Sequence, residues 1–131
     1  MNQNKPISYE YIRGLIEGEG CFTFCTSTRK LVSGRIIKSK VPTFSLAMHE
    51  RDIELIAAVR DIMGIKNKLY VNKNNNHKDG YNHGRMMMLI VREIGNLKNI
   101  VVPFFYGRLH GYKAKQFDAW LEKIGTDPEV P

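Results

Sequence analysis

The stretch YIRGLIEGEGCF, Tyr11 to Phe22, sets two carboxylates, Glu17 and Glu19, among three glycines at the end of a short apolar helix. A helix C-terminus carries partial negative charge, so an acid there is disfavoured by about 0.3–1 kcal/mol. Glycine inside a helix costs up to about 1 kcal/mol relative to alanine. Breaking both rules within a few residues marks a candidate functional site. The two cysteines, Cys21 and Cys25, offer less. Four apart in a strand, they lie about 13 Å from each other, too far for a disulfide. The CxxxC spacing has no second ligand pair for zinc.

The elements that must position these groups follow from periodicity. Ser8 caps a helix over about Tyr9 to Gly18, with Ile12, Leu15 and Ile16 at helical spacing. CFTFCTSTRK then alternates, Phe22 and Phe24 on one side, Thr23, Cys25, Ser27 and Arg29 on the other. The return strand, LVSGRIIKSKVPTFSLAMH, turns near Ser33-Gly34, and Pro42 within it predicts an edge position or a bulge. ERDIELIAAVRDIMG is an amphipathic helix with Ile53, Ile56, Ala57, Val59 and Met63 near one stripe and Gly64 as its stop. A second hairpin pairs KNKLYVNKN with YNHGRMMMLIVR across the polar loop NNHKDG. A short helix in EIGNLKNIVVPFF is expected to break at Pro103. KAKQFDAWLEKI closes the domain as a helix burying Phe117, Trp120, Leu121 and Ile124, and a tail over about 125–131 is expected to fray. The order predicts one α+β domain over residues 1–131, αββαββα, with a four-stranded antiparallel sheet and helices on one face.

Charge says what the other face is for. The chain of 131 residues carries a net +7. Residues 20–49 hold five basic side chains and no acid, and residues 66–92 hold six against Asp79 alone, whereas the remainder holds nine against twelve. The hairpins are therefore basic and the helices acidic, so the uncovered strand face is one that meets phosphates. A two-stranded ribbon of that kind fits the DNA major groove. No 18-residue apolar run exists and the polar start has no signal-peptide core, which predicts an intracellular protein without a membrane partner.

IRGLIEGEG, Ile12 to Gly20, resembles the nine-residue signature of the LAGLIDADG homing endonucleases. Gly14, Leu15, Ile16 and Gly20 match by identity. Glu17 and Glu19 stand for its two aspartates, Ile12 for leucine, and Arg13 and Gly18 for alanines. The element order, PFF at Pro103–Phe105 and GYKAKQFDAW extend the similarity over nearly the whole chain. The resemblance implies a saddle-shaped sheet and, with one motif per chain, a homodimer packed helix on helix. Tyr11, Gly14, Leu15 and Gly18 would form that interface, the glycines letting the backbones approach. It further implies a magnesium-dependent, double-strand cut with short 3′ overhangs in a long, near-palindromic DNA target.

On this likeness the metal ligands are Glu19 and the Gly20 carbonyl, and Lys113, with Lys115 second, is the lysine near the scissile phosphate. The usual polar residue at the end of the second strand falls on Met48, with His49 beside it as a substitute. Glu17 is read as a polar contact at the helix foot. Base reading is expected from outward strand positions: Thr23, Cys25, Ser27 and Arg29, then Ser39, Thr43 and Ser45, then Tyr70, Asn72 and Asn74. Lys30, Lys66, Lys73 and Lys78 are expected on phosphates. Arg35, Lys38, Lys40, Arg85 and Lys115 complete the DNA-binding set, Pro42 leaving the parity of Lys38 and Lys40 open. Met86 to Met88 read as core and rim. The alternative is a relative that no longer cuts, an RNA-splicing maturase with intron RNA as partner, or a DNA-binding regulator.

Overall fold

The computed structural model describes residues 6–72 and 84–130. Helix α1 runs Tyr9–Glu19, and the Ser8 hydroxyl accepts the Tyr11 N–H at 2.9 Å as its cap. Ile12 and Ile16 bury one side of α1. Strand β1, Gly20–Lys30, leaves the helix without a linker. The junction needs glycine for space, because a Cβ at Gly20 would lie 2.5 Å from Ile16 Cγ2 and 3.0 Å from the Ile16 carbonyl oxygen. Strand β2, Ile36–His49, returns after a turn in which Gly34 adopts φ 89°. A 3-10 turn, Glu50–Asp52, leads to α2, Ile53–Met63, and Gly64 at φ 85° ends it in the left-handed region that glycine occupies at least cost. Strands β3, Tyr70–Asn72, and β4, Met86–Val91, follow.

The sheet is four-stranded and antiparallel in the order β1-β2-β4-β3, as the α+β reading requires. Phe22, Phe44, Leu46, Leu89 and Val91 point to the helix side and are buried. Phe22 is the hub of the core, its ring centroid 5.4 Å from Phe44, 5.5 Å from Phe105, 4.9 Å from Phe117 and 5.3 Å from Trp120. Each such ring contributes about 1.5–3 kcal/mol by burial alone. Phe117 and Trp120 come from the last helix, α5, Gly111–Thr126. On α2, Ile56, Val59 and Met63 are buried, whereas Ile53 at its exposed start is not.

Three expectations need correction. Pro42 makes no bulge, since register runs unbroken from Gly20↔Leu46 to Lys30↔Ile36, and β2 is an inner strand. Pairing with β4 begins only at Phe44, so β2 is open on that side at Pro42. The Lys40 N–H, two residues back and directed to the same side, is taken there by the Glu129 carbonyl at 2.9 Å. That contact is also why the tail is anchored rather than frayed: Lys40 Nζ pairs with Asp127 at 2.9 Å and lies 3.6 Å from Glu129. Pro103 does not break its helix. A short helical turn α3, Ile94–Asn96, passes through a π-turn, Leu97–Val101, into α4, Val102–Phe105. Pro103 stands in the first turn of α4, where a missing N–H leaves no bond unmade.

Candidate active site and nucleic-acid interface

The junction of α1 and β1 collects the residues with chemistry. Glu19 is the last residue of α1 and exposed, and among the described residues no hydrogen bond or ion pair engages its carboxylate. The next carbonyl, Gly20 O, accepts Lys113 Nζ at 2.6 Å, so Lys113 and Gly20 are in direct contact. Lys113 also donates to Gln116 Oε1 at 3.2 Å, and the same oxygen accepts the Phe22 N–H at 3.1 Å. Trp120 Nε1 completes the row by donating to the Thr23 carbonyl at 2.8 Å. One stripe of α5, residues 113, 116 and 120, thus bonds the backbone at the start of β1. Glu17 is spent structurally, its carboxylate accepting the His110 N–H at the entry of α5.

The expected histidine is elsewhere. Leu46 is the partner of Gly20, so His49 stands three residues, about 10 Å, farther along β2. Its Nδ1 accepts the Arg51 N–H at 3.1 Å, capping the 3-10 turn, and its ring packs against the Gly84 backbone. Register sets His49 past the strand position that pairs with Gly20. Met48 packs partly against the core.

Along α1 the side opposite Ile12 and Ile16 is bare. A Cβ at Gly14 or Gly18 would meet nothing within 4 Å. Tyr11 beside them is 48% exposed and Leu15 half-buried. Arg13, where the signature has alanine, is folded inward: Nε donates to the Phe104 carbonyl at 2.9 Å and the guanidinium lies 4.7 Å from the Phe104 ring centroid. Nothing in the periodicity of the sequence announces a buried arginine.

The uncovered strand face is as alternation predicts on β1, with Thr23, Ser27 and Arg29 exposed and Cys25 half-buried. Ser39, Ser45, Tyr70 and Asn72 share it through their pairings. Four positions depart from expectation. Thr43 is 3% exposed, its hydroxyl sharing its one proton between the Val41 carbonyl at 3.0 Å and Cys25 Sγ at 3.4 Å, so it is unavailable to a ligand. Lys38 and Lys40 share the parity of Phe44 and fall on the helix side, where Lys40 is held by the tail. Arg85 pairs with Glu50 at 3.0 Å. Lys30, Arg35, Lys66 and Lys115 are exposed. Lys73, Asn74 and Lys78 lie outside the described residues. Of the three methionines, Met87 is core and Met86 and Met88 form the rim.

Arg92 is a basic residue beside the open face that alternation does not isolate. Immediately after β4, it is exposed and donates from Nη2 to Cys25 Sγ at 3.3 Å. The Cys25 thiol is held below its ordinary pKa chiefly by the Thr43 hydroxyl hydrogen bond, against the effect of burial, and further by the Arg92 hydrogen bond and charge.

Hard oxygen donors suit magnesium, and Glu19 with the Gly20 carbonyl supplies two of them. Among the described residues no group of three or more His, Cys, Asp or Glu is arranged to hold a metal. One chain therefore offers two oxygen donors of the right kind, of which the Gly20 carbonyl also accepts Lys113 Nζ, and a bound ion would need further ligands. Among the described residues no helix is long and apolar enough to cross a membrane.

Comparison with known proteins agrees with the fold. The sequence profile of the LAGLIDADG endonuclease family matches residues 12–124. The fold is similar to that of the I-LtrWI LAGLIDADG homing endonuclease bound to target DNA, at TM-score 0.72 and 21% identity over 89% of this chain and 36% of that one. It is also similar to the homing endonuclease I-TnaI, at TM-score 0.67 and 27% identity over 90% of this chain and 71% of that one. A third likeness is to the LAGLIDADG homing endonuclease I-GzeII in complex with its DNA target, at TM-score 0.65 and 19% identity over 100% of this chain and 40% of that one. The chain spans well under half the length of I-LtrWI and I-GzeII.

Proposed function

The chain belongs to the LAGLIDADG endonuclease family, and from that premise we propose that it is a homing endonuclease cutting both strands of a long, near-palindromic DNA target as a magnesium-dependent homodimer. The observation that carries the reading is the bare Gly14–Gly18 surface of α1 ending in the unengaged carboxylate of Glu19. Two such helices meeting across a two-fold axis bring two Glu19 side chains together, and like charges at helix C-termini tolerate each other only with a cation between them. The two sheets then form one saddle, and two-fold symmetry in the protein asks for two-fold symmetry in the target.

Residue by residue, the chemistry divides as follows. Glu19 and the second lone pair of the Gly20 carbonyl would hold magnesium, which would supply a more acidic bound water and charge neutralisation at the phosphate. Lys113 sets a positive charge at the scissile phosphate, where the P–O bond to the leaving oxygen breaks as water adds. Arg29, Arg92 and the serine and asparagine side chains of the open face meet base edges. Exposed lysines such as Lys30 and Lys66 supply the salt-dependent affinity. His49 is given the support of the strand end and no proton transfer.

The test is to incubate the protein with a DNA library of randomised targets, with magnesium or with EDTA, and sequence the ends. Cuts in both strands at one family of near-palindromic sites, only with magnesium, are the expected result. Binding without cutting at any metal concentration transfers the case to the non-cutting alternative, for which Met48 at the usual polar position is the one favourable observation. Cys25 gives an independent check on where DNA lies. Its depressed thiol reacts with iodoacetamide. DNA at about ten times its Kd should slow that reaction about tenfold, because so little protein is free. An unchanged rate means that DNA does not cover this face.

A further inference from the structure

Resting on the role given to Lys113 above, we infer that Gln116 is a positioning residue that aims the Lys113 ammonium. Lysine carries its charge on a flexible four-carbon stem and can face many directions. Here two of its three N–H donors are assigned: one to the Gly20 carbonyl at 2.6 Å, one to Gln116 Oε1 at 3.2 Å. The third is left for a phosphate oxygen. Gln116 can perform this task because its own oxygen is fixed from the other side. The Phe22 N–H donates to it at 3.1 Å, so both acceptor sites of Oε1 are filled and the amide nitrogen is turned away. Lys113 and Gln116 are three apart on α5 and so lie on one face of the helix. Trp120, bonded to the Thr23 carbonyl at 2.8 Å, stops α5 from sliding along β1. The lysine is thereby referred to the same two strand residues, Gly20 and Phe22, that follow the carboxylate of Glu19. Without Gln116 the ammonium keeps one anchor and swings about it.

A purely structural Gln116, tying Phe22 to α5, makes different predictions. Gln116→Leu removes the acceptor and Gln116→Glu keeps one. In metal-free, DNA-free protein, acetylation of Lys113 by acetic anhydride, read by mass spectrometry, should quicken several-fold in Gln116→Leu and stay near the parent rate in Gln116→Glu. The single-turnover cleavage rate should fall about 10- to 100-fold in Gln116→Leu, as expected for a misplaced group, with the Kd for DNA changed less than about threefold. Gln116→Glu should restore that rate to within about threefold. In a Lys113→Met background Gln116→Leu should cost nothing further, because the two act as a unit. Equal acetylation in all three proteins overturns the inference, and so does an equal rate loss with and without Lys113. Failure of the parent protein to cut any DNA sinks the endonuclease reading instead, and acetylation alone then decides the role of Gln116.

Discussion

Glu19→Gln is expected to stop DNA cleavage and leave DNA binding intact. Loss of groups that merely support a metal ligand costs about 10–100-fold, so loss of the ligand's charge should cost more than about 100-fold. The substitution is nearly isosteric on an exposed side chain and touches no contact of the subunit, so the fold has no reason to suffer. It also removes an acid from a helix C-terminus, a gain of about 0.3–1 kcal/mol. The DNA Kd should therefore hold or tighten slightly, since one negative charge facing phosphates is gone. Single-turnover cleavage and an equilibrium binding titration on one target measure both. Cutting at the parent rate would take Glu19 out of the mechanism.

Gly14→Leu should separate assembly from folding. The added side chain enters open space in the subunit, where nothing lies within 4 Å of the Cβ, and leucine is the better helix former by up to about 1 kcal/mol. The monomer should melt no lower than the parent. Across a helix–helix contact the same side chain holds the backbones apart. Sedimentation should show the mass of one chain, and double-strand cutting should vanish with the dimer. A dimer of undiminished strength would refute packing through α1, whatever the activity. The opposite signs are useful, because ordinary damage to the fold moves stability and assembly together.

What local chemistry dictates could be read from the sequence. Ser8 before an apolar stripe, Gly34 in a turn, Gly64 at a helix end and the alternation of Phe22 and Phe24 with Thr23 and Cys25 each name their own structure, and each is found. The motif helix was equally legible by resemblance, and the structure adds the contact of Lys113 with the Gly20 carbonyl that follows it. What failed depends on distant partners. The side taken by Lys38 and Lys40 is decided by register across eleven residue pairs of β1 and β2. Thr43 is sealed because its hydroxyl is taken up by the Val41 carbonyl and Cys25 on β1, which no spacing within β2 reveals. Gln116 resembles any surface glutamine until Phe22 and Lys113 meet at its oxygen. Arg13 stands in the motif without any local sign of the Phe104 ring and carbonyl that hold it. Pro103 shows that a helix breaker is harmless where the helix has just changed pitch.

The hairpin of β1 and β2 outruns the rest of the molecule. Strand β4 pairs with β2 only from Phe44 onward, so the span from Thr26 to Lys40 is a two-stranded arm resting on the tail at Asp127 and Glu129. At its tip Val32 is fully exposed. Exchanging a side chain on the outer half of this arm disturbs no buried neighbour, so mutation can accumulate there without a toll on folding. On the proposed function, a lineage could drift in which distant bases it tolerates while the α1–β1 junction stays as it is.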